Sequence, residues 1–305
     1  MSATLIFEQS LNGLQFGLML FLLAAGLTLV FGVMDMINLA HGSLYMIGAF
    51  IAASMVEATG SFIAGVLLAV MLTSVIGMLL EVTVLRSLYT RDHLSQVLAT
   101  FALILISNEV VRMTFGPDMT LNSPAALAGP VELFPGMLYS SYRLMIIGVG
   151  LAVALLLYLI VAKTRVGMQV RAGASNRMMA YAMGGNIKLL FTMVFGFGAA
   201  LCALAGAMLG PILAVQVGMG ENILILTFVV IVIGGIGSIR GALLGAILVG
   251  MVDTMGRAFL PTMLRFLLPS EFASAIGPAL ASILIYVLMA AVLFWKPQGL
   301  FPAKG

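Results

Sequence analysis

Long apolar runs, broken only by glycine and isolated polar residues, set the pattern of this chain. They extend over Leu11 to Val33, Ser61 to Leu85, Leu144 to Ala162, Leu189 to Val215 and Ala273 to Trp295, with shorter runs between them. Each is long enough to cross about 30 Å of hydrocarbon as a helix. The runs are continuous and rich in Leu, Ala, Gly and Met, without the short alternating segments of a membrane barrel. The pattern predicts an all-α polytopic membrane protein. Two runs interrupt themselves: "FGVMDMINLAHGSLYMIGAF", Phe31 to Phe50, carries Asp35, Asn38 and His41 among glycines, and "GGIGSIRGALLGAILVG" spans Gly234 to Gly250. A short helix is expected after each break, Ser43 to Val56 in the first case. About fourteen residues at 1.5 Å each cover only about 21 Å, so each short helix reads as a full or a half span. The total is then eight or nine transmembrane or half-spanning helices.

Composition agrees with the pattern: 62% of the 305 residues are hydrophobic and 8% charged, against about 45–50% and about 25% in a soluble domain. Charge placement adds orientation. Lys and Arg gather at Arg86 and Arg91; at Lys163, Arg165, Arg171, Arg177 and Lys188; and at Lys296 and Lys304. The positive-inside rule makes these segments cytoplasmic. Loops holding Glu8, Glu57, Asp118, Glu132, Glu221 and Glu271, with only Arg112, Arg143, Arg257 and Arg265 as basic residues, fall outside. The N-terminus is therefore expected outside (periplasmic) and the C-terminus in the cytoplasm. The first Lys or Arg is Arg86, so the basic start of a cleaved signal peptide is missing and the first helix is expected to be retained. The net charge of +3 reports orientation rather than nucleic-acid binding. A parallel internal repeat is expected, residues 1–162 against 189–305, because each half contains a helix, a Gly-rich break, a short helix and a longer returning helix.

The chemistry-bearing residues are few. No phosphate-binding G-x-x-x-x-G-K-S/T loop and no H-E-x-x-H occur, and His41 and His93 are the only histidines, so no metal site and no cofactor are expected. Cys202, with Gly198, Gly206 and Gly210, forms a four-residue periodicity of small residues, a surface for close helix approach. Glu109 and Asp253 lie in apolar surroundings, and Arg112 is placed to pair with Glu109. The segment Gly116 to Tyr142, with Pro117, Pro124, Pro130 and Pro135, has no helical period and reads as a passive loop or an external docking surface. In "KTRVGMQVRAGASNRMMAYAMGGNIKLL", Lys163 to Leu190, Ser175 is expected to cap a short helix from Asn176 to Met183 that Gly184 ends. Its Met178, Met179, Ala182 and Met183 offer an adaptable surface suited to a groove in a partner or to the membrane face.

Three segments, "GLTLVFGVMDMINLAHGSLYMIGA", "VRAGASNRMMAYAMGGNIKLL" and "IVIGGIGSIRGALLGAILVG", with the terminal "KPQGLF", together resemble the permease subunits of bacterial ABC importers for branched-chain amino acids, of the shorter, first-permease type. The resemblance runs from about Leu11 to Phe301. It implies a single transmembrane permease domain over 1–305, with a cytoplasmic coupling loop at 163–188, in the bacterial inner membrane. It also implies a second homologous permease, two cytoplasmic ATP-binding subunits that bind the ATP, and a periplasmic substrate-binding protein. Arg171, Ala172, Ala180, Gly184 and Asn186 match the family's coupling loop, and Ser175, Asn176, Met179 and Met183 fall within it. Asp35, Asn38, Ala40, His41 and Gly42 fall in the first signature; Gly234, Gly235, Gly237, Ser238, Arg240 and Gly241 fall in the second. These two sets are expected to line the translocation pathway or to form the helix breaks. The chain departs from the family at Ser175 and Asn176, where acidic residues are common, and at Asp35, where small residues are usual. The reading from another class is a self-contained secondary transporter or channel with Asp35 or Asp253 as its ion site. A third, an intramembrane enzyme using His41 and Asp35, predicts turnover without partners.

Overall fold

The computed structural model describes residues 3–36, 38–175, 186–266 and 269–301. Its helices, in chain order, are α1 (Ala3–Met34), α2 (His41–Thr59), α3 (Phe62–Leu88), α4 (His93–Phe115), α5 (Ser141–Lys163), α6 (Arg165–Ser175), α7 (Ile187–Leu209), α8 (Met219–Gly234), α9 (Ile239–Leu264) and α10 (Ser270–Trp295). Eight of them are long and apolar enough to cross a membrane; α8 is apolar but shorter, and α6 is not among the eight. The helix following each break is longer than the sequence pattern predicts. α2 has 19 residues and α9 has 26, while the short helix, α8 with 16, precedes the second break. Hydropathy marks where a break is, but the caps decide on which side the helix is cut short. Here Gly218, at φ 91°, starts α8 late.

Local chemistry sets several of the ends. Ser61 Oγ accepts from Ala64 N at the start of α3, and Gly60, at φ 68°, stops α2. Asp92 caps α4, accepting from Ser95 N and Ser95 Oγ, and those hydrogen bonds hold its carboxyl below the usual range. α3 winds through a π turn at Glu81–Leu85.

Two ends of the bundle are chemically distinct. At one, Tyr139 Oη and Arg143 Nη1 both donate to Asn12 Oδ1, at 3.0 and 2.7 Å, and Tyr142 Oη donates to the Met208 carbonyl. These bonds gather the starts of α1 and α5 with the end of α7. The segment expected to be an irregular loop lies here and contains extended structure. β2 (Pro130–Phe134) and β3 (Met137–Ser140) form an antiparallel hairpin turned at Pro135–Gly136, and β1 (Asp118–Met119) pairs with β4 (Val215–Gln216). Glu132 accepts from Gly136 N and closes the turn.

At the other end, the end of α6, the start of α7 and the end of α1 meet: a Cβ on Gly173 would lie 3.3 Å from Leu190 Cδ2 and 3.9 Å from Val33 Cγ1. Arg86 also bonds Thr192 near the start of α7. Arg86, Lys163, Arg165, Arg171, Lys188 and Lys296 all lie toward this basic end, as the grouping of charges predicts. α1 therefore runs toward the basic end and α7 away from it. The breaks of the two halves lie together at this end, and α1 and α8, the helices that precede them, both run toward it. α1 meets α7 at Gly26 and Gly198, and α2 meets α8 at Gly42 and Gly220.

The core is built on small residues. α1 is buried along most of its length and packs on α9 through Gly13 and Gly17, against Met251 and Ala246. The Gly198, Cys202, Gly206, Gly210 strip serves close approach as expected: Gly198 meets α1, Cys202 meets His41, Gly206 meets the Tyr45 carbonyl, and Gly210 meets Leu121. Large apolar side chains such as Leu98, Phe101, Leu155 and Val287 face outward, as in a protein surrounded by hydrocarbon.

A Cβ at Gly206 collides with backbone, whereas Gly148 on α5 has open space around it. Gly206→Val is expected to destabilise the protein by roughly 2–3 kcal/mol, and Gly148→Val to leave it unchanged. Thermal unfolding in detergent checks both.

Candidate functional site

The first break begins at Asp35. Its backbone adopts φ 50° while its N–H still bonds the Phe31 carbonyl at 2.8 Å, so it is the left-handed residue that ends α1. Its side chain is exposed. Asn38 is buried, and its Oδ1 accepts from Ala40 N at 3.1 Å, while its Nδ2 bonds nothing among the described residues. The chain thus returns alongside α1 rather than continuing past it. His41 arrives next to Gly26 and Gly198, its Nε2 3.0 Å from Cys202 Sγ. Gly42 meets Gly220 backbone to backbone, so the start of α2 rests on the start of α8. Asn38 therefore serves the broken backbone, and His41 Nε2 meets a side chain of α7. Ser43 Oγ and Tyr45 Oη, both buried in the first turns of α2, bond nothing among the described residues.

The second break, Gly235 to Ser238, is closed by its own chain. Gly235 and Gly237 take φ values of 104° and 82°, a region open to glycine, and Ser238 Oγ caps α9 by accepting from Gly241 N at 3.1 Å. Gly234 and Gly241 are in backbone contact. The terminal Leu300 and Phe301 N–H groups donate to the Ile233 and Gly234 carbonyls at 2.8 and 2.9 Å, satisfying the end of α8. Arg240 is exposed at the basic end. The two breaks are neighbours: a Cβ on Gly32 would come within 3.8 Å of Gly237 Cα.

The expected coupling segment lies at this same end. Arg171 and Ala172 are exposed on α6, and Arg171 Nη1 donates back to the Val161 carbonyl. Ser175 is the last described residue of α6, which spans Arg165–Ser175, and the short helix expected from Asn176 to Met183 lies outside the described residues. Asn176, Met179, Ala180, Met183 and Gly184 lie outside the described residues. Asn186 caps α7, its Oδ1 accepting from Leu189 N at 3.1 Å.

Glu81 was not singled out by the sequence. It is fully buried in the π turn of α3 and bonds Arg86 Nη2 at 2.8 Å, Tyr89 Oη at 2.9 Å and Thr192 Oγ1 at 2.6 Å. Arg86 also bonds Thr192. The cluster ties α3 to the first turns of α7, immediately beyond the coupling segment. No spacing rule reveals it, because Thr192 is more than a hundred residues distant.

The two candidate ion sites are accounted for otherwise. Asp35 is an exposed helix stop. Asp253, buried on α9, is neutralised by Arg257 at 2.8 Å, one turn away. Glu109 and Arg112 pair at 3.1 Å on the surface near the end of α4, as their spacing predicts. No group of His, Cys, Asp and Glu able to hold a metal occurs among the described residues.

The family described as "Branched-chain amino acid transport system / permease component" matches residues 9–293. The high-affinity branched-chain amino acid transport system permease protein BraD of Pseudomonas aeruginosa is 29% identical over 308 residues, covering 96% of this chain and 94% of its own length. LivH of Escherichia coli K12, named in the same terms, is 28% identical with 95% and 96% covered. A probable branched-chain amino acid transport permease protein of Methanocaldococcus jannaschii is 25% identical over 92% of this chain and 88% of its own. No solved structure matches.

Two substitutions test these assignments. Asp35→Gly is expected to keep both fold and activity, since glycine accepts the left-handed conformation, whereas Asp35→Val costs roughly 1–2 kcal/mol; an ion site would lose activity in both. Glu81→Ala leaves Arg86 without its carboxylate and should destabilise by roughly 3 kcal/mol, read as a lowered melting temperature.

Proposed function

The chain belongs to the branched-chain amino acid transport system permease family, and from that premise we propose that it is the translocation pore subunit of an ATP-driven importer for branched-chain or related hydrophobic amino acids. The observation that carries the reading is the family match across nearly the whole chain, residues 9–293. It makes this a multi-pass membrane protein of a transport system, with eight helices long enough to span.

In the proposed assembly the basic end faces the cytoplasm of a bacterial cell and the hairpin end faces the periplasm. A second, related permease completes the pore, two ATP-binding subunits dock at the cytoplasmic end, and a periplasmic protein delivers the cargo. The chain itself binds no nucleotide. Segment 163–188 receives the movement of the ATPases. Two features support that role: the exposed Arg171 and Ala172 on α6, and the rigid start of α7, held by the Asn186 cap and the Glu81 cluster. Movement reaching α7 passes directly to the Gly26–Gly198 and His41–Cys202 contacts on its opposite side. Those contacts lie about 12 Å from the end of α1, counting eight residues at 1.5 Å from Gly26 to Met34. In this reading they alternate access.

Coexpression with its neighbouring transport genes tests the proposal. The complete complex in proteoliposomes should take up leucine only with ATP and loaded binding protein present. Removing residues 175–184 should abolish ATPase association or uptake. Full uptake by that deletion, or leucine uptake by this chain alone on an ion gradient, overturns the proposal.

A further inference from the structure

On the flank where α2, α4 and α8 meet, Leu39, Ser43, Ile104, Asn108, Glu221 and Leu224 line a narrow recess above the Gly42–Gly220 contact. Asn108 precedes the end of α4 by about seven residues, which places the recess about 10 Å inside the bundle from the hairpin end. Glu221 Oε1 accepts from Asn108 Nδ2 at 2.6 Å. No arginine or lysine among the described residues pairs with it, in contrast with Glu81, Glu109 and Asp253, which each have an arginine. Ser43 Oγ, 5% exposed, also lines the recess and bonds nothing among the described residues.

An acidic side chain matched only by a neutral amide is a costly neighbour for hydrocarbon. A buried hydroxyl with no partner is likewise unusual. Both features are relieved by an occupant that donates several hydrogen bonds and carries positive charge. The remaining walls, Leu39, Ile104 and Leu224, are aliphatic. A primary ammonium attached to a short aliphatic chain has both properties, since it offers three donors beside an apolar body.

We propose that this recess is a way station in the translocation pathway, at which the ammonium group of an aliphatic amino acid binds the Glu221 carboxylate and the Ser43 hydroxyl. The inference rests on the importer reading given above. In the present conformation the recess is too narrow even for a water molecule, so occupancy requires α2 and α8 to part at their glycine contact. Glycine at both positions lets the two backbones meet and separate without a side chain between them.

The test uses the complete complex, with radiolabelled leucine as the probe and Glu57→Gln, an exposed carboxylate at the far end of α2, as control. Glu221→Gln should lower the maximal uptake rate at least tenfold, and Ser43→Ala about threefold. The leucine concentration for half-maximal uptake should stay unchanged, because the binding protein sets it. Wild-type rates in both variants overturn the site while leaving the importer reading intact. Absence of leucine uptake by the wild type overturns the importer reading and the site with it. Ser43→Ala removes one hydroxyl that bonds nothing among the described residues, so it decides the matter should Glu221→Gln fail to assemble.

Discussion

A helix that ends against protein sets free amides and carbonyls that protein must satisfy, and the two breaks of this chain each meet that requirement. The first break is met locally: Asp35 turns the backbone, and the Asn38 amide takes the Ala40 N–H. The second is met from afar, by Leu300 and Phe301 bonding the end of α8. In both cases the price of the break is close approach of backbones. Gly32 lies beside Gly237, Gly42 on Gly220, and Gly234 on Gly241, so the glycines that punctuate the sequence are the residues on which the bundle is closed.

The basic end adds a second constraint. A buried carboxylate is tolerated only with full compensation, and Glu81 has it from Arg86, Tyr89 and Thr192. The cluster fixes α3 against α7 at the point where the chain re-enters the bundle. Along α7 the next contacts inward are Ser74 Oγ on the Gly196 carbonyl, then Gly26 and His41. The anchored start of α7 and these interior contacts thus lie on one continuous helix, Ile187–Leu209.

Much of this was legible from the residues alone. Span positions followed from run length, since crossing hydrocarbon demands about twenty apolar residues. The breaks followed from clustered glycines, and the two ends from the segregation of Lys and Arg. The contacts that join the helices, Gly26 on Gly198 and Gly42 on Gly220, were not legible, because a glycine that meets a distant backbone looks like any other in sequence. The hairpin was signalled by Pro135–Gly136, but a search for helical period passes over it. Glu81 with Thr192 and Glu221 with Asn108 are pairs more than a hundred residues apart in sequence, and no local rule connects them.

The carboxylates within the helices show why charge alone is a poor guide to function in a membrane protein. Asp253 and Glu109 look alike in sequence, isolated acids in apolar runs, and each is neutralised within one turn by an arginine. Asp35 looks functional because it interrupts a helix, yet its left-handed backbone explains its position without any ligand. Glu221 sits at the first turn of α8, where the helix dipole favours an acid. That effect fades within a turn and does not supply a counter-charge. What separates Glu221 from the others is that its one partner among the described residues, Asn108, is neutral. The proposed way station on the flank of α2, α4 and α8 rests on that difference.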